Sequence, residues 1–264
     1  MMLSASGICK TFFPGTVNER VALGGVDLHL DEGDFTTIIG SNGAGKSTLL
    51  NIVAGYMRPD AGVVTIQGRN VTRMSDNRRA RYVGRVFQDP LAGTAPNLTI
   101  EQNLAIAHHR GKVRGLAMGV TERKRRFFKE QLAVLELGLE KRLKAKVGLL
   151  SGGQRQALSL LMATFTQPEI LLLDEHTAAL DPQRAALVTQ LTKTMVRDHR
   201  LTTLMVTHNM AQALEVGNRL IMMHEGRIIL DIHGEKKATM SVPDLLAEFE
   251  KTKGAVLDDR TLLA

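Results

Sequence analysis

Among the 264 residues there is one cysteine, Cys9, which rules out an internal disulfide and any cysteine-built metal cluster. That scarcity fits a reducing compartment, and we expect Cys9 to be a small buried hydrophobe near the first strand. No apolar run approaches the ~18 residues that a membrane span requires. The amino terminus carries Lys10 and no long apolar stretch before a small-residue cleavage site, so no secretory signal is expected. Internal repeats and low-complexity tracts are also lacking. At this length the chain builds one substantial core, or one core with a subdomain, but not two large domains.

Charge is unevenly spread. The formal net charge is +7, yet between Arg110 and Lys146 there are twelve Lys or Arg against four Asp or Glu, a local net of +8. The rest of the chain is therefore close to neutral. Two readings of this segment stay open: a solvated helical surface, or a face turned toward phospholipid headgroups or nucleic acid. Its only aromatics are Phe127 and Phe128, which is no nucleic-acid reading module. Phe128, Leu132 and Leu135 have the i, i+4, i+7 spacing of a core-facing helix stripe.

Glycine is plentiful, and Gly40, Gly43 and Gly45 fall in GSNGAGKST at 40–48. The pattern G-x-x-x-x-G-K-[ST] bends the backbone tightly enough to turn several N–H groups toward phosphate oxygens. Ser41, Asn42, Ala44 and Thr48 complete the loop, and Lys46 reaches the β and γ phosphates. Ser47 offers its hydroxyl to Mg²⁺, and a helix opening at Lys46 aims its positive end at the anion. The β-branched run Phe35 to Ile39 precedes the loop, and Leu49, Leu50, Ile52 and Val53 follow it. This is the strand, loop, helix order that the motif needs, and it implies a bound nucleoside triphosphate.

Short apolar strands fill residues 1 to 88. Thr99 to Gln102 then have the form of a capping box, opening a helix-rich stretch to about residue 166, with Gly138 as the stop for a helix beginning near Glu122. Ile170 to Leu173 and Thr202 to Val206 suit parallel strands buried on both faces, joined by a crossover helix over Gln183 to Arg197. Leu220 to Met223 and Arg227 to Ile232 form a hairpin around Glu225 and Gly226, and Ser241 to Asp244 can cap a terminal helix. The expected fold is α/β, a nucleotide-binding core interrupted by a helical insert.

Asp174 ends the strand at Leu173 and Glu175 follows. A carboxylate at the carboxyl end of a buried parallel strand sits where α/β folds bind nucleotides, so Asp174 is placed to hold Mg²⁺ through water. Glu175, one residue further out, can orient and polarise an attacking water. Leu150 to Gln156, LSGGQRQ, is a second glycine-containing turn opening a helix; taken alone, Ser151 and Gln154 are an ordinary capping box.

The order GSNGAGKST, VFQDP, LSGGQRQ, LLLDE, ALD and VTH resembles that of the ATP-binding-cassette (ABC) ATPase family, and the resemblance covers about residues 3 to 235. It implies a RecA-like core with an N-terminal antiparallel β part over 1–88 and 166–235. A helical subdomain carrying the signature would occupy 89–165, with a C-terminal helical extension over 236–264, all in a single ABC ATPase domain. It implies ATP and Mg²⁺ as ligands. Gln88 matches the glutamine that contacts Mg²⁺ and the attacking water and senses the membrane partner. Ser151, Gly152, Gly153 and Gln154 match the signature that closes over ATP held by the opposite subunit. Ala179, Leu180 and Asp181 match the loop crossing the dimer interface, His208 the switch histidine on the γ-phosphate, and Phe12 the aromatic stacked on adenine.

Departures from the family pattern are the adjacent Phe12 and Phe13, which leave the stacking ring open, and extra residues around Pro14 to Arg20. His176 stands where Pro is usual; beside Glu175 it invites a pH-dependent rate, and we read it as a substitution that keeps the turn. The resemblance further implies a head-to-tail homodimer with two composite ATP sites, bound to transmembrane permease subunits at the cytoplasmic face of the bacterial inner membrane. DEHTAALDP, LTTLMVTHNM and RLIMMHEGRIILD resemble ATPases of uptake systems that work with an extracytoplasmic solute-binding protein, some assigned to amino acids. Export, or a non-transport role on nucleic acid or the ribosome, is the alternative, although the chain lacks the second cassette or the coiled-coil or zinc-bearing insert of such members. No nucleic-acid partner is expected.

Overall fold

The computed structural model describes residues 1–111 and 119–251. An antiparallel sheet has the order β2-β1-β4-β5, from β1 (Leu3–Phe12), β2 (Arg20–Leu30), β4 (Ala61–Ile66) and β5 (Arg69–Asn70). The second sheet has the order β10-β9-β3-β8-β7-β6. Its strands are β3 (Phe35–Gly40), β6 (Val83–Val86), β7 (Ile170–Asp174), β8 (Thr202–Val206), β9 (Arg219–His224) and β10 (Arg227–His233). All pairings in it are parallel except the β9–β10 hairpin. That hairpin turns through Glu225 and Gly226, both with positive φ (43° and 75°), the type I′ geometry that matches strand twist.

A parallel sheet needs cover on both faces, and the side-chain alternation of β7 shows how it is supplied. Ile170 and Leu172 pack with the antiparallel sheet and with α1 (Lys46–Ala54). Leu171 and Leu173 pack with the helices on the other side. Those are chiefly α3 (Ile100–His108), α4 (Glu122–Ala133) and α5 (Gly152–Thr164), which join the core through the same cluster as Val86 and Met205. The short α2 (Asp76–Arg79) precedes β6, and α6 (Pro182–His199) crosses from β7 to β8. A third cluster seats Leu245, from a helix over 242–251, against Leu220, Met222 and Ile232. α7 (Met210–Glu215) and α8 (Glu235–Thr239) complete the α/β fold expected above.

Local signals behave as expected with two exceptions. Thr99 and Gln102 form the reciprocal capping box, and Phe128, Leu132 and Leu135 are fully buried. Ser241 caps the terminal helix with Asp244, while the part of the expected extension beyond 251 lies outside the described residues. Gly138, however, does not stop α4. Leu135 and Glu136 N–H groups bond three residues back, to Leu132 and Ala133, and Glu136 takes the left-handed φ of 54°. The helix therefore ends at Ala133, and Gly138 opens the 3₁₀ turn Leu139–Lys141. Cys9 is also more exposed than expected, being half-buried on β1.

Candidate active site

β3 delivers the chain to Gly40, and the loop turns into α1 at Lys46. Lys46 is almost completely buried, its Nζ donating to Gly40 O (2.7 Å) and Ser41 O (2.9 Å). Burial lowers its pKa below the ordinary lysine value, while Glu175 and Asp174 pull it part of the way back. Gly45, with φ 98°, lies against β2, where a Cβ would come within 2.4 Å of Ala22 O, so no other residue fits. The loop thus wraps a cavity of about 220 Å³ whose walls are Phe12, Arg20, Ala22, residues 42–48, Glu175 and His208. Phe12, and not the 66% exposed Phe13, belongs to this wall.

Glu175 leaves β7 with φ 46°, a left-handed conformation that costs a glutamate about 1–3 kcal/mol. Its N–H bonds Val206 O at 2.9 Å, so β8 fixes it there. The side chain meets His208, Nε2 lying 2.5 Å from Oε1. Behind this pair is a hub that the sequence reading missed. Thr207 Oγ1 donates to Gln212 Oε1 (2.8 Å), and Gln212 Nε2 donates to Thr177 Oγ1 (3.1 Å) and Thr189 Oγ1 (2.9 Å). One carboxamide therefore ties the segment after Glu175 to the residue before His208. His176 points away from the cavity, buried, with Nε2 3.0 Å from Thr192 Oγ1. Burial pushes its pKa down to about 4, so it is neutral near pH 7 and carries no switch there. The turn itself is kept, Ala178 N–H bonding Glu175 O at 2.9 Å.

Asp174 is held from the side. Arg85 Nη2 donates to its Oδ2 (2.8 Å) and Nη1 to Asn51 Oδ1 on α1 (2.7 Å). The guanidinium lies 5.2 Å from the Tyr56 ring centroid and 4.8 Å from that of Phe87, the residue before Gln88. Gln88 itself is exposed. Ser151 and Gln154 cap α5 reciprocally, and Gly152 and Gly153 pack against Leu180 and Arg184. Asp181 caps α6 and pairs with Arg184 at 3.2 Å. Neither these residues nor Asp174 and Gln88 line the cavity around Lys46. One chain therefore holds a phosphate-type loop with Glu175 and His208, and at a separate place a glycine-lined helix start.

Comparison with known proteins places this arrangement. The family model described as ABC transporter matches residues 23–178. The chain belongs to that family, and it is an ATPase that binds and hydrolyses ATP. It is 42% identical over 254 residues to the tyrosine transport ATP-binding protein of Clostridioides difficile, covering 94% of this chain and 99% of that protein. Identity to the methionine import ATP-binding protein of Streptomyces coelicolor is 34% over 275 residues, 99% of this chain and 74% of that one. A solved dimeric ATP-binding cassette in a post-hydrolysis state, bound to ADP and Pi, aligns with a TM-score of 0.75 at 32% identity. That alignment covers 88% of this chain and 98% of the other.

Proposed function

We propose that two copies of this chain close head-to-tail around two ATP molecules and drive import of a small solute, such as an amino acid, through membrane permease subunits. The observation that carries the reading is the separation, within one chain, of the Lys46 cavity from the Ser151 helix start. A capped helix start lined by Gly152 and Gly153 is an anion site, and in a twofold pair each would serve the neighbour's γ-phosphate. The dimeric relative bound to ADP and Pi supports this. Import is supported by the relatives' described roles in tyrosine transport and methionine import.

In this reading Phe12 stacks on adenine, Lys46 and the loop N–H groups hold the phosphates, and His208 donates to the γ-phosphate. Glu175 takes the proton from the attacking water. The donors Ser47 hydroxyl, Asp174 carboxylate and Gln88 carbonyl are all hard oxygens, the set that suits Mg²⁺ rather than a softer metal. Bound there, Mg²⁺ would neutralise charge developing on the phosphates. Arg85 donates to Asp174 Oδ2, so Oδ1 is the oxygen that would remain to help hold the ion. The helical part, 89–165, would carry the signature as a subdomain against the core of 1–88 and 166–235.

Among the described residues no helix is long and apolar enough to cross a membrane. A peripheral position on the cytoplasmic face, with an extracytoplasmic solute-binding protein delivering cargo, completes the proposal. Affinity purification of the full chain from detergent-solubilised membranes tests it. A multi-span permease is expected to co-purify, and ligand screening of its cognate binding protein then names the solute. Recovery with ribosomes or nucleic acid, and no permease, would contradict the transport role.

A further inference from the structure

We propose that Arg20 is a further nucleotide-binding residue, its guanidinium reaching from β2 to the ATP polyphosphate. The proposal rests on the reading that the Lys46 cavity holds the phosphates. Arg20 lies outside the G-x-x-x-x-G-K-[ST] pattern, beyond the irregular stretch after Phe12. Strand pairing brings it back. In the β1–β2 ladder Arg20 is the direct partner of Phe12, and both line the cavity with Lys46 and Ser47.

The phosphate loop is shaped around this side chain. Arg20 Nη2 donates to Gly43 O at 3.1 Å. A Cβ on Gly43, whose φ is 80°, would lie 1.9 Å from that same nitrogen, so the guanidinium occupies the space that glycine leaves. Among the described residues no carboxylate forms an ion pair with it, and the adjacent Glu19 is turned to Gly15 N–H (2.6 Å). Arginine carries five N–H donors in a planar fork that matches phosphate oxygens, and the carbonyl of Gly43 uses one of them. An unpaired cation fixed on the loop that cradles phosphate is placed to bind the anion itself.

The competing role is a latch that only steadies Gly43 through its carbonyl. Salt separates the two, since a charge–charge contact is screened and a bond to a neutral carbonyl is not. The test titrates fluorescent ATP and ADP analogues into the full chain and its Arg20→Met and Arg20→Lys variants, at low and at high ionic strength. Arg20 is exposed, so both variants are expected to fold, which their melting curves check. Arg20→Met is expected to weaken both nucleotides about tenfold or more at low salt, the loss shrinking at high salt, with Arg20→Lys recovering part of it. Binding within about twofold of the parent at low salt, or a loss that ignores ionic strength, would overturn the proposal. Lys46→Ala runs alongside; if it too binds like the parent, the reading of the cavity fails rather than that of Arg20 alone.

Discussion

Glu175→Gln is expected to cut ATP hydrolysis about a hundredfold or more while nucleotide binding persists. Glutamine keeps the shape and one oxygen to meet His208, now 2.5 Å from the carboxylate, so the local structure survives. What is lost is the only feature that differs, a base able to take a proton from water. The left-handed backbone at Glu175, held by the bond to Val206 O, stays strained in either variant and keeps the side chain aimed into the cavity. Single-turnover phosphate release beside a fluorescent-ATP titration checks both halves. Hydrolysis near the parental rate would remove Glu175 from the reaction.

Arg79→Met is expected to cost about 2–3 kcal/mol of stability, read as a lower urea midpoint at unchanged slope. Arg79 is 1% exposed and pairs with no carboxylate among the described residues. Its guanidinium instead gathers backbone carbonyls. Nη1 takes Ile52 O and Val53 O, in the last turn of α1, and Nη2 takes Val71 O, Thr72 O and Met74 O. Burial pushes its pKa down to about 10, which still leaves it charged at neutral pH, facing the negative end of the helix that begins at Lys46. Methionine fills the space; Ile52 O keeps the Gly55 N–H and Val71 O the Met74 N–H, but Val53 O, Thr72 O and Met74 O lose their donor, at about 1–3 kcal/mol for each that water cannot reach. Arg79→Lys should rescue little, because a single Nζ cannot span both groups. A loss below about 1 kcal/mol would show that the carbonyls find other partners.

These two residues mark what was legible in the sequence. Glu175 could be read because its chemistry lies in contiguous chain: an apolar strand, then Asp174, then the glutamate, in order with the glycine loop. The buried strands, the capping boxes at Thr99 and Ser151, and the stripe of Phe128, Leu132 and Leu135 are local patterns of the same kind, and they hold in the fold. Arg79 sits in a polar stretch that reads as surface, and only the closure of α1 onto the segment after β5 encloses it. Arg20, Arg85 and Gln212 were missed for a related reason. Each acts across long separations in sequence, Arg85 on Asp174 and Gln212 on Thr177, through pairings that no local spacing encodes. Gly138 failed differently: the helix ended early because its last turn tightened, with Glu136 rather than a glycine taking the left-handed position.

We propose that an ATP site is complete only when two chains supply it, and mixing two inactive variants distinguishes this from a self-contained site. Lys46→Ala removes the phosphate loop and keeps the signature; Ser151→Arg does the reverse. A mixed dimer then contains one site in which both halves are intact. Combining the purified variants is expected to restore ATP hydrolysis well above the sum of the two alone, whereas hydrolysis that stays at that sum would mean each chain works by itself.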